Sequence, residues 1–152
     1  VDILEHIAKG RAAGARVLTG GHALAGEDYD HGCFIAPTVF DRVTPSMSIA
    51  REEIFGPVLV IMTVRSFDEA VEVANGVAYG LSSSIFTNDL RLALTYLERA
   101  EVGLAHVNLM SALKEPQLAF GGVKESGSGL PEAGSSGIEF FTHHKVCYVK
   151  YR

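Results

Sequence analysis

Apolar residues recur along the chain with two spacings, one typical of helices and one typical of strands. From Val1 to Ala13 they lie three and four positions apart, which predicts an amphipathic helix that ends at Gly14. The S-x-x-E pattern of Ser66 and Glu69 is typical of a capping box and predicts a helix that Gly76 would end. A third run of helical spacing lies between residues 90 and 97.

Short apolar runs between these helices predict strands. The run Val58–Val64 is continuous rather than alternating, as expected of a strand that is buried on both faces. The other runs are Val17–Leu18, Cys33–Ile35, Thr38–Phe40, Leu81–Phe86 and Leu104–Val107. The alternation of strands and helices predicts an α/β fold with a mostly parallel sheet and flanking helices.

Both ends of the pattern depart from a self-contained α/β domain. The chain opens on a helix rather than a strand and shows only three or four clear strands, so we expect the sheet to be incomplete. Residues 108–136 are rich in Gly and Pro and predict a loop. The tail Phe140–Tyr151 alternates in character and predicts an extended strand.

Composition narrows the class of protein. The 152 residues are 47% hydrophobic and 20% charged, as in globular proteins, and the net charge of −5 argues against nucleic acid as a partner. No apolar run reaches the ~20 residues of a membrane-spanning helix. The opening residues have no initiator Met and no signal-peptide pattern, which suggests a piece of a longer chain. Two cysteines suit a reducing compartment, and we expect the cytoplasm.

Taken alone, the residues offer no complete catalytic motif. The chain lacks a G-x-G-x-x-G after a strand, a P-loop and a G-x-S-x-G elbow. Cys33 and Cys147 lie in apolar or strand-like stretches, so we expect both to be small core residues rather than nucleophiles. His143 and His144 with Cys147 offer three ligand types, but neighbouring side chains of a strand point to opposite faces, so no metal site is predicted.

Several motifs, in one order, resemble those of the aldehyde dehydrogenase family. Arg51–Val58 is similar to the family's E-E-I-F-G-P-V motif, and Ala36–Val39 to its P-T-V strand. Further matches are Asn75 with Tyr79–Thr87, Val107–Asn108, Phe120–Gly127, and Phe141–Thr142 with Lys145–Val146. The resemblance covers essentially the whole chain, and it implies the fold and the activity of that family.

The resemblance also implies what this chain lacks. In the family, the dinucleotide-binding domain, the catalytic Cys and its general-base Glu precede the segment that Val1 opens. Residues 1–139 would then be the later part of the catalytic domain, and residues 140–152 a terminal oligomerisation strand. We expect a fragment of an NAD(P)-dependent enzyme that oxidises aldehydes to carboxylic acids, inactive alone and without tightly bound NAD or NADP. The alternative is a truncated, non-catalytic interaction or oligomerisation module derived from that family.

For the cofactor, the resemblance implies three contacts in the intact enzyme. Glu53 matches the family glutamate whose carboxylate accepts hydrogen bonds from the nicotinamide ribose. Phe55 matches an aromatic residue packed near the nicotinamide, and Leu81 matches a residue that lines the same pocket. Without the resemblance, Glu53 would be a solvated turn carboxylate and the two apolar residues would belong to the core.

For the aldehyde, the resemblance implies a wall of the substrate tunnel. Asn108, Leu109, Met110 and Phe120 match the loop that forms this wall in the family. Ala119 departs from the pattern, because the family usually has Pro before F-G-G. The residues alone allow a simpler interpretation, in which Asn108 ends a strand and Phe120 is a core residue. A homo-oligomer is implied as well.

Overall fold

The computed structural model describes residues 2–152, in which short strands and helices alternate. The helices are α1 (Asp2–Ala12), α2 (Ser48–Arg51), α3 (Phe67–Asn75), α4 (Leu90–Arg99) and α5 (Gly134–Phe140). The strands are β1 (Arg16–Thr19), β2 (Thr38–Asp41), β3 (Val58–Val60), β4 (Tyr79–Gly80), β5 (Ser82–Ile85), β6 (Leu104–Val107) and β7 (Val123–Lys124). The chain divides after Gly76 into two compact units. Within residues 2–152, no helix is long and apolar enough to cross a membrane.

The first unit is built on a three-stranded sheet with β2 in the centre. Strand β1 pairs with β2 in antiparallel orientation, with an irregularity between Val17 and Thr19. Strand β3 pairs with β2 in parallel orientation, from Thr38 opposite Val58 to Phe40 opposite Val60. The sheet therefore has one parallel and one antiparallel pairing among the described residues.

The core of the first unit centres on Phe40, which is fully buried. It clusters with the buried residues Ile7, Ala15, Val43 and Ile49 from α1, α2 and the connecting segments. Helix α1 approaches closely because Gly10 has no side chain. A Cβ there would lie 2.7 Å from the Ile49 side chain.

Two polar arrangements fix the central strand of this sheet. The Thr38 hydroxyl is buried, yet it donates to the Ala36 carbonyl and accepts from the Gly21 amide, both at 2.8 Å. At the surface, the Arg16 guanidinium donates to the Asp41 carboxylate at 2.8 Å. This hydrogen bond lowers the pKa of the Asp41 carboxyl and raises the pKa of Arg16.

Helix α3 begins and ends where its sequence predicts. The Ser66 hydroxyl accepts a hydrogen bond from the Glu69 amide at 3.1 Å, and Gly76 is the C-cap. The Glu69 carboxylate accepts from the Arg65 amide at 2.7 Å, which lowers its pKa. The predicted cap is confirmed, although the carboxylate bonds one residue before the N-cap rather than to the N-cap itself.

The second unit contains two small two-stranded sheets. Strands β5 and β6 are parallel, from Ser82 opposite Leu104 to Ile85 opposite Val107, while β4 and β7 are antiparallel. Helix α4 buries Ala93 and Tyr96, and the Tyr96 hydroxyl lies 2.5 Å from that of Ser83. This hydrogen bond ties the helix to β5.

The structure confirms an α/β fold with partial sheets and flanking helices, but it corrects the run Val58–Val64. Strand β3 covers only three residues. Val58, Val60 and Met62 pack against the core cluster, whereas Leu59 and Ile61 are 59% and 44% exposed. Burial on both faces needs a layer on each side of the sheet, and here the described core covers one face of β3.

The end of the chain also differs from its prediction. Phe140 is the last residue of α5 rather than the start of a strand, and α5 begins within the predicted loop 108–136. Residues 143–152 form no strand with any described residue. A strand needs a hydrogen-bonded neighbour, so the terminal oligomerisation strand stays a prediction about a partner chain.

Candidate functional site

In the first unit, the segment from Glu52 to Gly56 joins α2 to β3 and presents two candidate residues to solvent. Glu53 is exposed, and Phe55 is 84% exposed with a φ of 52°. A bulky residue in the left-handed region is rare, and such conformations persist where surrounding structure enforces them. An exposed phenyl ring held in this way is available for a ligand rather than for the core.

Helix α1 packs against this segment. The His6 Nδ1 atom lies 3.6 Å from the Glu52 carboxylate, and a Cβ on Gly56 would meet the Ile3 side chain at 2.7 Å. Among the described residues, no hydrogen bond reaches the buried His6 Nδ1. The close packing at Gly56 fixes the backbone that follows Phe55.

The remaining candidates lie in the second unit, where Asn108 turns the chain out of β6. Its φ is 56°, a region that Asn tolerates better than most residues. Its side-chain amide accepts from the Thr87 amide and donates to the Thr87 carbonyl, both at 2.8 Å. These bonds join the ends of β5 and β6, so the side chain of Asn108 shapes the loop that follows it.

Beyond Asn108 the loop encloses a cleft of about 450 Å³. Leu109 and Phe120 line it, whereas Met110 and Asn108 do not, and the substrate tunnel itself stays a prediction. The other lining residues are Gly103, Leu104, Ala105, His106, Leu113, Lys114, Glu115, Leu118 and Ala119. The structure therefore brings together two of the four predicted substrate residues in one largely apolar cavity.

Two polar residues of this cleft, His106 and Lys114, have no part in the prediction. The ring nitrogens of His106 lie 3.2 Å from the Ser83 carbonyl and 3.0 Å from the Leu113 carbonyl. The Lys114 ammonium lies 4.5 Å from the centroid of the Phe120 ring. In the sequence, each of the two is only a polar residue next to apolar ones, which does not indicate a place in a cleft.

A second cavity of about 130 Å³ places Leu81 beside the glycine-rich segment. Leu81 and Phe120 line it together with Gly121, Gly122 and Gly127. Phe120 and Glu132 exchange backbone hydrogen bonds of 2.5 and 2.7 Å, which close the segment into a hairpin-like turn. The structure thus brings one cofactor candidate, Leu81, close to one substrate candidate.

The expectation that Cys33 and Cys147 are core residues is wrong, because both are exposed. Cys33 lies in the loop that precedes β2, where only Ile35 forms a bridge, to Ala23. Cys147 lies in the exposed tail, which no layer of residues 2–152 covers. No group of three metal-ligating side chains is found within the described residues.

Comparisons with known proteins agree with the motifs. The profile of the aldehyde dehydrogenase family matches residues 2–147. An alpha-ketoglutaric semialdehyde dehydrogenase of Bacillus subtilis is 43% identical over 98% of this chain and 30% of its own length. An alpha-ketoglutarate semialdehyde dehydrogenase of Haloferax volcanii is 42% identical over 97% of this chain and 31% of its own.

Solved structures give the same result. A Mycobacterium tuberculosis aldehyde dehydrogenase complexed with NAD+ is 39% identical and superposes with a TM-score of 0.85, over 93% of this chain and 28% of that one. The chain thus spans about 30% of the length of the curated relatives that it matches.

Proposed function

Since the chain belongs to the aldehyde dehydrogenase family, we propose that it is the carboxy-terminal part of a longer enzyme that oxidises an aldehyde to a carboxylic acid with NAD or NADP. The observation that supports this most directly is that residues of a family motif have side chains that a ligand can reach. Glu53 and Phe55 are both exposed on the family's E-E-I-F-G-P-V motif.

The chemistry of these side chains suits a nicotinamide nucleotide. A carboxylate accepts hydrogen bonds only, and a ribose diol donates two, so Glu53 can orient the sugar. The phenyl ring of Phe55 can pack against a flat heterocycle. When bound, the nicotinamide would accept the hydride from the substrate, and the part played by this chain is to hold it in position.

For the substrate, we propose an aldehyde held against the cleft that Leu109 and Phe120 line. Both curated relatives described above act, by their names, on the semialdehyde of alpha-ketoglutarate. That compound carries a carboxylate far from its aldehyde group. Semialdehydes of short dicarboxylic acids are therefore the first substrates to assay.

We propose that the tail contributes to a homo-oligomer. Residues 143–152 are exposed, and Tyr148 and Tyr151 are 94% and 89% exposed. Tyr is enriched in protein interfaces, and an extended segment gains main-chain hydrogen bonds by pairing with a neighbouring edge. An assembly module without catalysis, the second candidate, relies on the same exposed tail.

The proposed function predicts that the 152-residue chain and the longer polypeptide differ in aldehyde dehydrogenase activity. The 152-residue chain should oxidise no aldehyde with NAD or NADP, because neither of its cysteines falls in the family's nucleophile motif. The longer polypeptide should be active. NADH production followed by absorbance checks both. Inactivity of the longer polypeptide with every aldehyde would favour the assembly module. Turnover by the short chain that Cys33→Ser or Cys147→Ser abolishes would contradict the proposal.

In the longer polypeptide, Glu53→Gln should slow hydride transfer by roughly 10- to 100-fold, because a neutral amide is a weaker acceptor and a shifted nicotinamide reacts slowly. Cofactor affinity should change less, since most of the dinucleotide would be held by other residues. Single-turnover kinetics measures the first quantity and equilibrium titration the second. Glu27→Gln, an exposed carboxylate in a loop of the same unit, is the control. Equal single-turnover rates in Glu53→Gln and wild type would rule out the role.

A further inference from the structure

Lys114 is the one Lys or Arg among the described residues that line the cleft of the second unit. It lies on the loop between β6 and β7, next to Leu113. Most of the surrounding wall is apolar, formed by Leu104, Leu109, Leu118 and Phe120. A single cation on an apolar wall can distinguish ligands by charge.

One contact holds the ammonium group of Lys114 at this wall. It lies over the Phe120 ring, 4.5 Å from the centroid, and such a cation–π contact uses the face of the ring rather than an acceptor atom. No acidic side chain in residues 2–152 is within ion-pair distance of it. The N–H donors that point away from the ring thus remain available to an anion.

His106 fixes the backbone from which Lys114 extends. One ring nitrogen lies 3.0 Å from the Leu113 carbonyl and the other 3.2 Å from the Ser83 carbonyl of β5. The Leu113 amide also donates to the Met110 carbonyl at 3.1 Å. A neutral imidazole can donate only one of these two bonds and an imidazolium can donate both, so the ring tethers the loop beside Lys114 when Nε2 carries a proton.

We propose that Lys114 binds the carboxylate of a substrate that carries its aldehyde at the other end, which rests on the function proposed above. The methylene chain of such a molecule would lie along the leucines and Phe120, where apolar contact is favourable. Lys114 would then set the specificity of the enzyme for aldehydes with a distal carboxylate. Glu115 lines the same cleft and opposes this attraction, while it accepts a hydrogen bond from Gln117 at 3.4 Å.

The test compares two aldehydes of equal chain length, succinic semialdehyde and butanal, in the longer polypeptide. The preference is measured as the kcat/KM of succinic semialdehyde divided by that of butanal. Lys114→Met should lower this ratio by roughly 10- to 100-fold, because a charge-assisted hydrogen bond is lost. The change should come mainly from a higher KM for the semialdehyde. Lys114→Arg should restore most of the preference, and Glu115→Gln should raise it slightly. Lys9→Met, which removes the same charge on α1 beside Glu5, should leave the ratio unchanged.

Binding of glutarate, which has two carboxylates and no aldehyde to oxidise, gives a readout that does not depend on turnover. Calorimetry on the longer polypeptide should detect glutarate binding to wild type and to Lys114→Arg. The affinity of Lys114→Met for glutarate should be lower by at least roughly tenfold. If no aldehyde is oxidised but glutarate binding depends on Lys114, the proposed function fails and the anion site stands. If aldehydes are oxidised with the same preference in wild type and Lys114→Met, or glutarate binding is absent or unchanged in the variant, the anion site is refuted.

Discussion

Phe40→Ala is expected to lower the free energy of unfolding of the first unit by about 3–5 kcal/mol, as large-to-small changes of buried aromatic residues do. Phe40 is fully buried in the central strand β2 and forms the middle of the cluster with Ile7 and Ile49. Helix α1 is held there by the close fit at Gly10, so the space left by the ring cannot be filled without moving that helix.

Urea unfolding followed by far-UV circular dichroism measures the effect, since the chain has no Trp. Hydrogen exchange of peptides from residues 2–76 and 77–152 assigns it to one unit. Phe55→Ala, which removes a ring of the same type that is 84% exposed, should change stability by less than about 0.5 kcal/mol. Equal destabilisation by the two variants would contradict the assignment of Phe40 to the core.

Gly103→Ala is expected to destabilise the second unit by about 3 kcal/mol, at the upper end of the cost of overpacking. Gly103 precedes β6, and its amide donates to the Gly80 carbonyl at 3.0 Å. A Cβ at this position would overlap the carbonyl oxygen of Gly121. Since the Gly121 oxygen belongs to the backbone and the position of a Cβ is fixed by its own backbone, the clash can be relieved only by separating the glycine-rich segment from β6.

Gly137→Ala is the matched control for this variant. Gly137 lies inside α5, and a Cβ there would meet nothing within 4 Å. Ala is favoured over Gly in a helix interior by roughly 0.5–1 kcal/mol, so this change should be neutral or stabilising. Hydrogen exchange of peptides around residues 103 and 121 should rise in Gly103→Ala alone. Unchanged exchange there would show that the two backbones are not in contact.

The sequence by itself determined those features that depend on neighbouring residues. Helix α3 follows from its apolar spacing, from the Ser66 hydroxyl that caps it and from Gly76 at its end, all within a few positions of one another. The segments that identify the family are likewise local strings of residues, such as Arg51–Val58. Neither depends on what lies elsewhere in the fold.

Part of the candidate site could also be predicted in this way. Leu109 and Phe120 are members of family motifs, and both line the cleft. Lys114 and His106 could not be predicted. Lys114 makes a cation–π contact with Phe120, and His106 contacts the backbone carbonyls of Ser83 and Leu113. Such contacts have no periodicity in the sequence.

Only the tertiary structure decided which apolar stretches are covered and which are not. Leu59 has the same apolar character as Val58 and Val60, yet it is 59% exposed because the described core lies against one face of β3. Cys33 is exposed because the chain reaches β2 through a loop. Burial is a relation between elements that are far apart in sequence, so a local pattern records a residue's affinity for a core but not the position of that core.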